Sequence, residues 1–163
     1  SEESANAQRA AQHVAPTLIK GCNVLVAEDN SVNRMVVKNM LKKLGAECDI
    51  AANGEEAVRL FTQALNSSQQ TRYDIILMDC EMPEMDGYDA TQAIRALEKE
   101  MNLAQTPIIA LTAHAMREHQ DRCHSAGVND HLSKPIEMRI LRDKLSEYLS
   151  QEVSSTTAAS RAG

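Results

Sequence analysis

Ile75-Ile76-Leu77-Met78-Asp79 constrains this chain more than any other stretch: four consecutive apolar residues run into an aspartate. Behind it comes Cys80-Glu81-Met82-Pro83-Glu84-Met85-Asp86-Gly87, a Met-Pro turn and an acidic loop closed by glycine. An apolar run this short, with β-branched residues and turn signals after it, suits a strand covered on both faces. Such strands belong to parallel α/β sheets, whose chemistry gathers in the crevice beyond their carboxyl ends. Asp79 then has two readings. It either caps the loop that follows or holds a working carboxylate in that crevice.

The rest of the chain alternates strand and helix signals. Asn23-Val24-Leu25-Val26-Ala27 reads as the first strand. A helix follows Asn30, with Val36, Val37, Met40, Leu41 and Leu44 toward one side; Asn30 can cap its start and Gly45 its end. Glu47 to Ala51 is a second strand. Asn53 and Glu56 resemble a capping box, and Ala57, Leu60, Phe61, Ala64 and Leu65 then recur at helical spacing. A polar loop covers Asn66 to Arg72, and the Asp79 strand leads into a helix from Gly87 to Glu100. Pro107 to Leu111 is a fourth strand, Ala113 to Ala126 a helix ended by Gly127, and Val128 to Leu132 a fifth strand. Pro135 opens the last helix, with Leu141, Leu145 and Tyr148 in register. Five successive βα units imply right-handed crossovers and a doubly wound parallel sheet with helices on both faces. The flavodoxin-like order 2-1-3-4-5 suits five strands in a single domain. Residues 1–21 read as a linker, 22–151 as the domain, and the Ser/Thr/Ala-rich residues 152–163 as a disordered tail.

Composition removes several classes of function. A formal net charge of −6 argues against holding nucleic acid by its phosphates. The four cysteines, Cys22, Cys48, Cys80 and Cys123, show no CxxC spacing and read as reduced thiols. No apolar run approaches the ~20 residues that span a bilayer, and no signal peptide opens the chain. A soluble module inside the cell is expected, and its first residue, Ser1, suggests a piece of a longer chain.

In the 2-1-3-4-5 order the first and third strands are neighbours, so Glu28 and Asp29 should meet Asp79. Three carboxylates in one crevice repel unless they share protons or bind a cation. An all-oxygen ligand set favours a hard ion, and Mg²⁺ fits best. An acidic rim that binds nothing specific is the alternative. Thr112 and Lys134 end the fourth and fifth strands on the same edge. A hydroxyl and an ammonium facing a metal-bound aspartate would make a receptor for a tetrahedral anion.

Val26-Ala27-Glu28-Asp29-Asn30, Met78-Asp79-Cys80-Glu81-Met82-Pro83-Glu84-Met85-Asp86-Gly87, Ala110-Leu111-Thr112-Ala113 and Ser133-Lys134-Pro135 together resemble the motifs of response-regulator receiver domains. The match covers roughly residues 22 to 150. With Asn33, Cys80 and Glu81, it is most similar to the C-terminal receivers of hybrid sensor histidine kinases. The resemblance implies that Asp79 is the phosphoacceptor and Asp29 a direct Mg²⁺ ligand. Glu28 would assist through a water, and the backbone carbonyl of Glu81 would complete the protein ligands, with Mn²⁺ able to substitute. Thr112 would bond a phosphoryl oxygen, and Lys134 would pair with the phosphoryl group across a cis Lys134-Pro135 bond. Expected partners are a histidine kinase domain and a His-phosphotransfer domain. No nucleic-acid or membrane contact is expected, and no DNA-binding domain fits after the receiver. The expected setting is the cytoplasm of a bacterium, in a parent protein that can be membrane-anchored.

Two positions depart from the family pattern. Three residues before the lysine, where an aromatic switch residue is usual, stands His131, whose imidazole could still move between buried and exposed rotamers. Glu28 replaces the commoner aspartate. Glu81 and His114 would flank the phosphoryl group and tune its lifetime. The segment from Ala113 to Ala126 has a weak apolar stripe, which suits an element that shifts on phosphorylation, together with the fifth strand and last helix. His114, His119, Cys123 and His124 lack zinc-site spacing and read as a solvated or partner-facing face. A flavin site would need a phosphate loop where Glu28-Asp29 stands, and an aspartate-nucleophile phosphatase would need a larger chain. A receiver that is never phosphorylated and only docks to a kinase is the main rival.

Overall fold

In the computed structural model, the described residues are 19–66, 72–82, 84–113 and 126–162, with backbone alone for 151–162. Five strands form one sheet: β1 (Asn23–Ala27), β2 (Glu47–Ala51), β3 (Ile75–Asp79), β4 (Ile108–Thr112) and β5 (Asp130–Ser133). Their order is β2-β1-β3-β4-β5, and every neighbouring pair is parallel. This is the doubly wound flavodoxin-like arrangement. The helices described are α1 (Ser31–Lys43), α2 (Gly54–Asn66), α3 (Gly87–Glu100) and α4 (Met138–Ala162).

Side chains alternate across a strand, so a strand buried on both faces contributes to two cores. All five residues of β3 and all five of β4 are buried. On one face Leu25, Ile76, Met78 and Ile108 pack with Phe61 of α2 and Tyr88 and Ile94 of α3. On the other, Val24, Val26, Leu77, Ile109 and Leu111 pack with Val37 and Leu41 of α1 and Leu141, Leu145 and Leu149 of α4. The apolar run Ile75 to Met78 is therefore continuous because each residue has a core to enter.

Several caps follow the sequence. The Asn30 carboxamide accepts from the Val32 and Asn33 N–H groups at 2.9 and 3.1 Å. Gly45 takes φ +85°, the left-handed conformation that ends α1. Asn53 accepts from Glu56 N at 2.8 Å, while the Glu56 carboxylate reaches past it to Ala52 N at 3.2 Å. That is a capping box displaced by one residue.

Other boundaries differ from expectation. Ile19 is fully buried, so chain assigned to the linker already belongs to the core. β5 starts at Asp130 rather than Val128, because Asn129 turns inward to accept from Ile108 N at 2.8 Å. The last helix begins at Met138 rather than Pro135; the Lys134–Pro135 bond is cis and a short turn intervenes. Helix α4 then continues to Ala162, through residues read as a disordered tail. No proline or glycine interrupts it there, and alanine favours helix. The helix expected from Ala113 to Ala126, with His114, Met116, His119, Cys123 and His124, lies outside the described residues apart from its two ends, as do Pro83 and most of the linker.

At the amino ends of β4 and β5 a polar hub ties three segments together. Largely buried Arg95 pairs with Glu98 Oε1 at 2.6 Å and donates to the carbonyls of Gly127 and Thr106, both at 2.9 Å. It also reaches Asn129 Oδ1 at 2.7 Å, and Glu98 Oε2 accepts from Thr106 N at 2.6 Å. Gly127, at φ +107°, leaves room for the arginine stem: a Cβ there would sit 2.9 Å from Arg95 Cγ.

Candidate active site

The carboxyl ends of β1, β3, β4 and β5 open into a cleft of about 250 Å³. Glu28, Asp29, Asn30, Asn33, Asp79, Glu81, Thr112 and Lys134 are among its lining residues. Each strand delivers its residue because its apolar stretch ends one or two positions earlier. The order of the sheet then brings distant positions together.

Asp79 is 2 % exposed. Its Oδ1 accepts from Glu81 N at 3.2 Å and pairs with Lys134 Nζ at 3.0 Å. Its Oδ2 is buried with no hydrogen-bond partner. Burial pushes the Asp79 carboxyl up to about 7, aided by the nearby Glu28 charge and opposed by the Lys134 and Glu81 bonds. The Lys134 ammonium also pairs with Glu28 Oε2 at 2.9 Å. Burial alone would lower the lysine, yet its bonds to Glu28 and Asp79 outweigh that and raise it. Lys134 is thus charged and shared between two carboxylates.

Glu28 is 1 % exposed and is held on both oxygens. Its Oε1 accepts from Asn30 N at 3.2 Å and Asn33 Nδ2 at 3.4 Å, while Oε2 faces Lys134. One oxygen each from Glu28, Asp29 and Asp79 lie within 4.8 Å of one another. Asp29 is exposed to the cleft. An all-oxygen set with an unpartnered buried Asp79 Oδ2 fits a hard divalent cation, which would supply a partner for that oxygen and relieve the repulsion.

Thr112 is buried at the end of β4, and its carbonyl accepts from Lys134 N at 2.8 Å, which fixes the two strand ends together. His131 lies on β5 opposite Ala110, on the same sheet face as Thr112 but one pleat away from the cleft. Its side chain is 37 % exposed, with Nδ1 3.9 Å from Asp130 Oδ1. The fold therefore gathers Glu28, Asp29, Asp79, Glu81, Thr112 and Lys134, and leaves His131 outside.

Other contributors are tertiary. Gly87 stands against the backbone of the acidic strand end: a Cβ there would lie 2.2 Å from the Asp79 carbonyl oxygen. A Cβ on Gly54 would lie 2.3 Å from the Met85 carbonyl, to which Gly54 N donates at 3.1 Å. These two glycines let α2 and α3 grip the loop after Asp79. Glu84 in that loop has φ +68° and accepts from Asn53 Nδ2 at 3.2 Å. Arg34 Nη1 donates to the carbonyls of Glu28 and Asp29 at 3.2 and 3.3 Å. Arg34 lies one turn after the cap Asn30, but nothing in the sequence singled out this contact or the two glycines.

The family model for the response regulator receiver domain matches residues 24–146. The chain is 40% identical over 128 residues to a probable histidine kinase 2 of rice (Oryza sativa), covering 74% of this chain and 12% of the kinase. The chain thus spans about an eighth of that relative's length. The receiver domain of a sensor histidine kinase from Pseudomonas aeruginosa, solved with magnesium coordinated in its active-site cleft, is 41% identical with a TM-score of 0.68. The match covers 80% of this chain and 98% of that one. A yeast (Saccharomyces cerevisiae) response-regulator receiver, co-crystallised with a histidine phosphotransfer protein, is 28% identical with a TM-score of 0.74, covering 82% and 92% of the two chains. A plant relative stands beside a bacterial one, so the likeness does not single out a bacterial source. No helix among the described residues is long and apolar enough to cross a membrane. Sequence, topology and cleft agree: the chain belongs to the response regulator receiver domain family.

Proposed function

We propose that this receiver accepts a phosphoryl group from a phosphohistidine onto Asp79, with Mg²⁺, and relays it to a His-phosphotransfer domain. The observation that carries this reading is the Asp79 carboxylate: buried, one oxygen held by Lys134 and Glu81 and the other unpartnered, in a group that comes within 4.8 Å of the Glu28 and Asp29 carboxylates. Asp29 and Asp79 and the Glu81 carbonyl would hold Mg²⁺, or Mn²⁺ in its place. Glu28, committed to Lys134, Asn30 and Asn33, would act through a water. The bound ion would neutralise charge on the phosphoryl oxygens.

The chain's own groups do the rest. One oxygen of the Asp79 carboxylate attacks phosphorus as the N–P bond of the donor breaks, and the imidazole keeps the electron pair. Lys134 is already beside the attacking carboxylate, so it can turn to the incoming phosphoryl oxygens without travelling. Thr112 offers its hydroxyl from the adjoining strand end. Beside the cleft, α1 exposes Val32, Met35 and Val36 at 68, 65 and 43 %. Their i, i+3, i+4 spacing makes one apolar stripe, a suitable seat for the helix that presents the phosphohistidine. His131 is assigned the switch role: its partly exposed ring, on the same sheet face as Thr112, would turn inward when Thr112 moves toward the phosphoryl group. An unmoved ring between metal-free and beryllofluoride-bound structures would remove that role.

Incubation with acetyl phosphate and Mg²⁺, followed by intact mass, tests the central step. A single phosphate adduct that Asp79→Asn abolishes is expected. No adduct, with no Mg²⁺ or beryllofluoride binding, would favour the rival docking module.

A further inference from the structure

Asp29 stands in the cleft without a side-chain tether: among the described residues its carboxylate takes no hydrogen bond or ion pair. Its direction is therefore set by its own backbone. That backbone has just left the sheet. The Glu28 N–H still donates to the Ala51 carbonyl of β2 at 3.0 Å, but the Glu28 and Asp29 carbonyls lie beyond the ladder and ahead of α1. Both accept from one atom, Arg34 Nη1, at 3.2 and 3.3 Å. Arg34 is seated by its own N–H, which donates to the Asn30 carbonyl at 2.9 Å.

We infer that Arg34 is a positioning residue for the cation site: its guanidinium clasps two successive carbonyls and so aims the Asp29 and Glu28 carboxylates. The inference rests on the Mg²⁺-dependent reading above. Two effects of this arginine oppose each other, which makes them separable. As a charge beside an acidic cluster it repels a divalent cation, so its removal would tighten Mg²⁺ binding. As a clasp it orients the ligands, so its removal loosens binding. Lysine keeps the charge but replaces the Nη1 amino group, held in the guanidinium plane, with a freely rotating ammonium on a flexible stem.

The test is calorimetric titration of Mg²⁺ into the metal-free wild type, Arg34→Lys and Arg34→Met. Backbone carbonyl ¹³C shifts of Glu28 and Asp29 are read in the same metal-free samples. Binding weaker by about tenfold in both variants, the usual effect of losing a group that orients a ligand, with both carbonyl shifts displaced, is expected. Unchanged binding in Arg34→Lys, or tighter binding in Arg34→Met, overturns the clasp. If neither variant folds, the wild type decides: separate, slowly exchanging Arg34 Nη resonances support the clasp, and a single averaged resonance overturns it. A wild type that binds no Mg²⁺ defeats the metal reading, while the carbonyl shifts still test the clasp.

Discussion

Replacing Asp79 by asparagine should make the metal-free protein more stable above neutral pH. The cleft sets three carboxylates against the single ammonium of Lys134, which lies 2.9 Å from Glu28 and 3.0 Å from Asp79. Asparagine keeps the size of the side chain and can still accept from Glu81 N, but leaves Lys134 to pair with Glu28 alone. The magnitude follows from the Asp79 carboxyl, which burial pushes from its ordinary 3.8 up to about 7. A folded-state value above the unfolded one means the folded protein holds the proton longer. The stability so gained is complete below about pH 4 and is lost as pH rises to about 7. Three pH units at 1.36 kcal/mol each would be about 4 kcal/mol. The open side of the cleft screens about half of this, which leaves ~2 kcal/mol at about pH 8. For a domain of this size that is a rise in Tm of about 6 °C. Thermal melts followed by circular dichroism, without metal and at several pH values, measure it. The advantage of Asp79→Asn should shrink to ~0.5 kcal/mol at about pH 4.5. Saturating Mg²⁺ should raise the wild-type Tm and leave that of the variant nearly unchanged. A variant less stable than wild type at about pH 8, or an advantage independent of pH, would refute the reasoning.

Other expectations follow from the same geometry. Mg²⁺ affinity, measured by calorimetry, should climb about tenfold per pH unit below about 7 and level off above it, because the Asp79 proton competes with the ion. Lys134→Met should destabilise the metal-free protein by ~2–3 kcal/mol in urea titrations at about pH 8, since two buried carboxylates lose their cation; adding Asp79→Asn should recover part of the loss. Gly87→Ala should cost more than ~2 kcal/mol and weaken Mg²⁺ binding together, because its methyl would overlap the Asp79 carbonyl; a variant that melts like wild type would show that the loop yields. Glu98→Ala should lower stability by ~3 kcal/mol by stranding Arg95, with no change in Mg²⁺ affinity.

The parts of this molecule legible in the sequence are those decided by local pattern. β1, β2, α1 and α2 can be read from apolar runs, the Asn30 and Asn53 caps and Gly45, because each signal sits within a few residues of its effect. The meeting of Glu28, Asp29, Asp79 and Lys134 was legible too, but only through strand order, which converts positions at strand ends into neighbours. What could not be read depends on partners distant in the chain. The start of β5 is displaced by Asn129, which answers to Ile108 and Arg95. Gly54 and Gly87 look like ordinary helix-start glycines until the backbone of the loop after Asp79 is seen against them. Helix α4 outruns its expected end because Ser, Thr and Ala leave it uninterrupted without announcing it. Arg34 resembled any surface arginine on a helix.

The hub around Arg95 gives the sheet two unlike ends. At the carboxyl end, charges are crowded and one oxygen of Asp79 is left over. At the amino end, the Arg95 guanidinium meets Glu98, Asn129 and two carbonyls, and Glu98 is in turn occupied by Thr106. The molecule is thus built like a tuning fork, with a clamped stem and free tips. Amide protons of Thr106 and Ile108 should exchange with solvent only when the whole domain opens, whereas those around the cleft should follow ligand occupancy. A change of charge at the tips can then alter the surface beside the cleft while the stem holds the register of the strands that carry it.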